Sequence, residues 1–407
     1  DFPLLPEALI LGKTVLHPKR PPGWSESYSV PRRIGLIQRF LNAPPLDAAR
    51  RAARLPPVPA RPPPAAYLRT VLLCTLAGGL FTLAGVPLGW LIGAFIAAGW
   101  LAARQAAAVP APARPAALVA LGLGLGQTFT APVLGAVLAA LPAILAGGML
   151  SILAGVATAP LWRRIARSDA RTAFFAAIPG GIMTMAVLAA RAGASVPQVT
   201  LAQSLRMGVV VLVYPPLIAI AAAGAARDAA FIAALPPVAW GGLLALLAVG
   251  ALAAAAGERL GLANAAMLAP CLLAMALSGT GLLPSAVPHW LIDVAQVAMG
   301  ASLGARLGQE GLGGGPRRLA VASVAASGAL VVLTGVLGLA LGAFSGLPPV
   351  AAMLGMAPGG MPEMAVTAKA LDLAVPLVLG FHLVRTVMCN LLVGPLWRGV
   401  VALGLAK

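Results

Sequence analysis

Charge is what this chain has least of. Only 10% of its 407 residues are Asp, Glu, Lys or Arg, against about 25% in ordinary soluble domains. A water-exposed globule of this length is excluded. Histidine is nearly as scarce, with three residues at 17, 289 and 382. Copper or iron chemistry needs several His or carboxylate ligands converging on one point, so no metal is expected, and no cofactor either. Cys74, Cys271 and Cys389 complete the short inventory. They lie in apolar stretches without CxxC spacing, which suits small buried hydrophobes rather than a redox or zinc motif.

What is present is apolar: 60% hydrophobic residues and a mean hydropathy of +0.94. Runs free of any charged residue cover 70–103, 115–162 and 319–362. A helical span needs about 20 apolar residues, so each run holds at least two. The chain is expected to be a multi-pass, all-α membrane protein with the lipid bilayer as its partner. Its net charge of +17 is placed in the first 66 residues and in short loops between apolar runs. That is the distribution that sets membrane topology, not the folded basic surface of a nucleic-acid domain. Residues 1–66 hold 14 prolines and ten Lys/Arg against four acids. They are predicted to be a disordered, basic, proline-rich cytoplasmic tail.

Within this apolar background one motif occurs twice. Pro179-Gly180-Gly181 and Pro358-Gly359-Gly360 stand 179 residues apart, and each is followed 27 residues later by an arginine, Arg206 and Arg385. A helix breaker and a charge repeated at one offset mark an internal duplication. The first repeat is read as 67–224 and the second as 238–402. Candidate spans in the first are 70–85, 87–103, 115–130, 137–162 and 197–222; in the second they are 241–257, 264–282, 287–305, 319–344 and 375–400. The Pro-Gly-Gly segments, 172–192 and 350–371, precede the last span of each.

Loop charges bear on orientation. Arg163, Arg164, Arg167 and Arg171 precede the first Pro-Gly-Gly segment, whereas 345–350 before the second is uncharged. Equivalent loops therefore prefer opposite membrane faces, and the repeats are inverted. Inversion needs an odd number of crossings per half: about five transmembrane helices plus a re-entrant or broken Pro-Gly-Gly helix. The rival arrangement, twelve spans in parallel repeat, leaves Arg317 and Arg318 on the outer face.

Pro removes a backbone donor and Gly-Gly permits unusual conformations, so each break frees polar backbone that lipid cannot satisfy. Such breaks occur beside cavities, and half-helix N-termini favour anions; interhelical turns with a packing role are the alternative. One arginine alone could snorkel to the interface, but the matched pair, Arg206 and Arg385, is expected to face the bundle interior and meet an acid, backbone carbonyls or an anionic solute. The candidate substrate-binding residues are Pro179, Gly180, Gly181, Thr184, Gln203, Arg206, Pro358, Gly359, Gly360 and Arg385. Glu363 has Thr184 as its counterpart, and His382 has Gln203. These two form the candidate coupling pair: for Glu363 the readings are a proton carrier, a ligand of Na⁺ or a salt bridge to Arg385 or Arg206, and for His382 a proton relay or a hydrogen-bonded interior residue. Asp293 is a further acid in an apolar stretch. Gly122, Gly124 and Gly126 read as helix-packing residues.

At these motifs the chain resembles the membrane AbrB family, described as an AbrB duplication protein. The matching elements are Phe-Phe-Ala-Ala-Ile-Pro-Gly-Gly with Gln-Ser-Leu-Arg (203–206), and Ala-Pro-Gly-Gly-Met-Pro-Glu-Met with His-Leu-Val-Arg (382–385). Pro-Leu-Gly-Trp-Leu-Ile-Gly-Ala (87–94) also matches. The resemblance covers roughly 67–402. It implies an integral protein of the bacterial inner membrane with a transporter-like fold. Family labels include a regulator of gene expression and an ammonia monooxygenase; the scarcity of ligands speaks against the latter. In the family the first motif often carries Glu where this chain has Thr184. The expectation is a secondary transporter of a small, anionic solute, not an enzyme, and compatible with a homo-oligomer. A non-transporting membrane regulator is the alternative.

Overall fold

The computed structural model describes residues 62–223, 235–262, 264–311 and 317–402. The expected basic tail lies outside these residues, apart from its last few positions. The described residues form 15 helices and no strand. In the first half these are α1 (Pro64–Leu83), α2 (Gly89–Ala103), α3 (Ala113–Gly126), α4 (Ala131–Ala139), α5 (Leu141–Ala166), α6 (Ala170–Ala177), α7 (Ile182–Ala192) and α8 (Val196–Ala222). The second half has α9 (Trp240–Arg259), α10 (Ala265–Gly279), α11 (His289–Gly311), α12 (Arg317–Ser345), α13 (Pro349–Met356), α14 (Met361–Ala370) and α15 (Val375–Ala402).

Six helices, α1, α5, α8, α9, α12 and α15, are long and apolar enough to cross a bilayer, and α3 with α4 makes a seventh if the pair, bent by 89°, is one span. This is fewer than the ten spans expected from hydropathy. The shortfall falls on α2 and α10, which have 15 residues each and measure about 22 Å against a hydrocarbon core of roughly 30 Å. It also falls on α11, whose Asp293 lowers its apolar character.

Adding 179 to the bounds of α6 gives the bounds of α13. The packing obeys the same relation. Helix α2 lies on α11 while α10 lies on α3, and α5 lies on α15 while α12 lies on α8. Backbone-close approach at glycine permits both of the first two contacts. A Cβ on Gly122 or Gly126 would sit 2.4 or 2.2 Å from the Met267 and Cys271 carbonyls of α10; on Gly300 or Gly304 it would meet the Leu91 and Phe95 carbonyls of α2 at 2.3 and 2.1 Å. Helices α3, α13 and α14 are buried almost throughout, whereas α1 and α9 form the apolar outer wall.

Each Pro-Gly-Gly segment is a re-entrant hairpin, not a kinked span. In the first, Thr172 Oγ1 at the start of α6 accepts from the Ser195 amide just after α7, at 3.0 Å, and Ser168 Oγ meets Gln198 Oε1 at 2.9 Å. A straight helix of that length would hold Thr172 and Ser195 about 35 Å apart. Chain direction then follows from α15. Near its N-terminal third, His382 and Arg385 touch the second hairpin at Leu354, Ala357 and Gly359. Farther on, Cys389 Sγ donates to Pro179 O at the first tip, 3.7 Å away. Near its C-terminal end, Trp397 packs on Phe174 and Phe175 of α6, with ring centroids 5.1 and 5.9 Å apart. The second hairpin therefore enters from the end where α15 begins, the first from the end where it finishes. Their tips meet midway, and the repeats are inverted.

The base of the first hairpin is fastened by Asp169. Its carboxylate caps α6, accepting from the Thr172 amide at 2.9 Å and the Thr172 hydroxyl at 2.7 Å. Partial burial pushes this carboxyl up, but the Thr172 hydrogen bonds outweigh it and leave it below its usual range. A lowered folded pKa adds stability above the ordinary carboxylate range that is lost as pH falls through the folded value. Asp169→Ala is expected to lower stability by about 1 kcal/mol near neutral pH. Thermal unfolding in detergent should show that difference shrinking as the solution is acidified.

Candidate functional site

The site is built from carbonyls that the breaks set free. Pro and the following extended residues stop α6 at Ala177 and α13 at Met356, which leaves the last carbonyls of each short helix without intrahelical partners. In a bilayer those oxygens, and the tip carbonyls just beyond them, need donors. Arg206 of α8 supplies them to the first tip, with Nη1 on Ile178 O and Nη2 on Gly180 O, each at 3.1 Å. Arg385 of α15 serves the equivalent oxygens of the second tip, with Nη1 on Ala357 O and Nη2 on Gly359 O at 2.7 Å. Both guanidinium groups are buried, at 4% and 5% exposure.

One turn earlier a second donor repeats the pattern. Gln203 Nε2 bonds to Phe175 O and Ile178 O at 2.9 Å and Ala176 O at 3.3 Å. His382 Nε2 lies 3.3 Å from Leu354 O, the counterpart of Phe175 O. Because Arg385 Nη2 can only donate, His382 Nδ1, 3.0 Å away, must accept. This places the imidazole proton on Nε2, where it bonds to Leu354 O. In this geometry both ring nitrogens of His382 are engaged inside the protein.

Each tip is also closed by the other repeat. A Cβ on Gly359 or Gly360 would meet Val210 Cγ1 at 2.9 Å or Met207 Cε at 2.8 Å, both on α8. Cys389, at the position equivalent to Val210, reaches Pro179. Gly155 of α5 backs the first tip so closely that a Cβ there would lie 2.6 Å from Pro179 Cδ. None of the four tip glycines has a positive φ. The conformational freedom expected from Gly-Gly is thus not what the tips use; Gly180, Gly359 and Gly360 instead leave no room for a Cβ.

A family model described as "Transition state regulatory protein AbrB" matches residues 90–400. That span takes in both hairpins and both arginines. The chain belongs to the AbrB family. Protein YhjN of Bacillus subtilis (strain 168) is 28% identical over 356 residues, covering 81% of this chain and 91% of that protein. "Putative regulator AbrB" of Escherichia coli (strain K12) is 31% identical over 156 residues, 37% of this chain and 44% of that protein. With its apolar helices, this AbrB-family chain is a polytopic membrane protein.

The AbrB-family site is not symmetric in its chemistry. Glu363, in the first turn of α14, is 3% exposed, and its Oε2 has no hydrogen-bond partner. It forms neither of the expected salt bridges; Oε2 instead lies against Gly360, where a Cβ would come within 2.2 Å of it. Thr184, its counterpart on α7, is half-buried. Along the same faces Val187 is 49% exposed and Val366 only 1%. The cause is packing: α14 rests on α3, with Lys369 Nζ donating to Gly124 O at 3.2 Å, while α7 has no comparable contact with α11. Arg206 Nε and Gln203 Oε1 are buried without partners. A small pocket beside Arg206, lined also by Trp162, Ala177, Ser323 and Ser327, has room for a group the size of a water molecule. Asp293 is half-buried and accepts from Gln296 at 3.2 Å.

The contacts across the tips, Cys389 to Pro179 and Met207 and Val210 to Gly359 and Gly360, escaped sequence reasoning. The signal was available, because Val210 and Cys389 both stand four residues beyond the repeated arginines. The fork geometry makes a sharp prediction. Lysine can serve one carbonyl of a pair but not both in this arrangement, so Arg385→Lys should cost about 1–3 kcal/mol through an orphaned buried oxygen. Arg398→Lys, on the exposed end of α15, should stay within about 0.5 kcal/mol of the parent. Unfolding midpoints in detergent compare the two.

Proposed function

We propose that this AbrB-family protein is a secondary transporter of a small anionic solute in the bacterial inner membrane, and not an enzyme. The observation that carries the reading is the meeting of two re-entrant tips that enter from opposite membrane faces. A site built at such a junction can be exposed to one side or the other by moving one hairpin against the scaffold, the requirement of alternating access.

The asymmetry supports a direction. The face from which the first hairpin enters carries Arg163, Arg164, Arg167 and Arg171, with Arg398 at the end of α15. By the positive-inside rule this face is cytoplasmic. The hairpin left partly uncovered is the one that opens on it. The N-terminus of α7 has no side-chain cap, and Gly181 is exposed. Free amides and the helix dipole there favour an anion, with Arg206 directly behind. In this reading Gly181, Thr184 and Arg206 hold the solute, while Arg385, Gln203 and His382 keep the tips in shape.

A second reading rests on the words "regulatory" and "regulator" in the family description and the Escherichia coli relative's name. An effect on gene expression would then arise from solute flux or from a partner bound at the basic face. Proteoliposomes separate the two. The purified chain should take up at least one small carboxylate or inorganic phosphate above empty vesicles. A bulky thiol reagent on Thr184→Cys should block that uptake, and the same reagent on Ser345→Cys should not. No flux across the panel, together with a specific protein partner, would favour the regulator.

A further inference from the structure

We infer that the coupling ion is a proton carried by Glu363, and that Arg206 and Arg385 stand in the places a coupling sodium ion would occupy. This rests on the transporter reading and adds the identity of the ion. In transporters with broken helices, unwound carbonyls and half-helix C-termini are the natural ligands of Na⁺. Here those oxygens are taken. Ile178 O and Gly180 O accept from Arg206, and Ala357 O and Gly359 O accept from Arg385. A fixed guanidinium on each pair engages both oxygens and repels an incoming cation. The cation is therefore built into the chain, and both tips share this arrangement.

The acid completes the argument. Glu363 Oε2 is buried against Gly360 with no donor and no cation in contact. Among the described residues no cluster of three or more His, Cys, Asp or Glu surrounds it or any other point. A lone carboxylate with one free oxygen cannot supply the several ligands that a dehydrated metal cation needs, but it can bind a proton. The groups around it are accounted for. Arg114 acts on it from α3; on α15, Arg385 is committed to two carbonyls and His382 to Arg385 and Leu354. Helix α8 brings the apolar Met207, and α13 brings no charge. Proton uptake on Oε2 converts the carboxylate to the neutral acid, and release to water at the other face restores it. Nothing else is consumed. Thr184 in the equivalent place of the first hairpin limits the device to one acid per chain.

The test reads the carboxyl group directly and needs no known solute. Infrared difference spectra of the full chain in lipid, recorded as pH is lowered, should show a protonated-carboxyl band that is lost in Glu363→Gln. In parallel, the unfolding midpoint of the unaltered chain should be the same in sodium and potassium salts. A band unchanged by Glu363→Gln, or a sodium-specific stabilisation, overturns the inference. If Glu363→Gln is not recovered folded, the sodium–potassium comparison decides alone. Glu363 titrating as expected in a protein without uptake of any panel anion would sink the transporter reading and leave the proton assignment intact. Uptake driven by a sodium gradient and indifferent to pH would do the reverse.

Discussion

A backbone carbonyl released inside a bilayer has no water to turn to, and everything central in this molecule answers that constraint. The two Pro-Gly-Gly breaks expose backbone oxygens in the tips just beyond α6 and α13, and two arginines from the following helices bond to them in forked pairs. The arrangement also solves the opposite problem, because a buried guanidinium needs acceptors as badly as the carbonyls need donors. Either feature alone would be costly. Together they hold a re-entrant hairpin in place, and the duplication supplies the pair twice.

Inversion turns two local solutions into one site. The tips arrive from opposite faces and are closed by residues of the other repeat, Cys389 against Pro179 and Val210 against Gly359. The halves then diverge. On one side α14 is packed on α3 and carries an unpaired buried acid; on the other α7 keeps an open face and a threonine. A single arrangement with one hairpin covered and one uncovered is the geometry expected of a transporter resting in one of its two states. The small pocket beside Arg206 is too tight for a solute, so transport in this account requires the uncovered hairpin to move.

Much of this was legible in the sequence, and the reasons are specific. The offset of 179 residues and the matched arginines reveal the duplication, and the swap of basic loops reveals its inversion. Bilayer physics forces both patterns to show in composition. Hydropathy, however, does not report helix length: α10 ends at Gly279, short of the 264–282 span drawn on it, at a turn where Gly281 has a positive φ, and α2 starts at Gly89 rather than at 87, after a left-handed Leu88. Nor could it tell what the arginines bind. An anion, an acid and a carbonyl all satisfy a guanidinium, and only the fold shows that the chain's own backbone takes both forks. The role of His382 was hidden for the same reason, since its tautomer depends on Arg385 lying at Nδ1. That Glu363 Oε2 lacks a donor is a property of packing, and no motif announces it.

The two hairpins enter from opposite faces and meet along α15, and disulfide formation in native membranes reads that geometry out. With the three native cysteines replaced, Phe174→Cys paired with Trp397→Cys should cross-link on mild oxidation, because those side chains pack together near the end of α15. Phe174→Cys paired with Val378→Cys, near the start of α15, should not. Cross-linking of the second pair and not the first would put both hairpins on one side of the membrane and contradict the account.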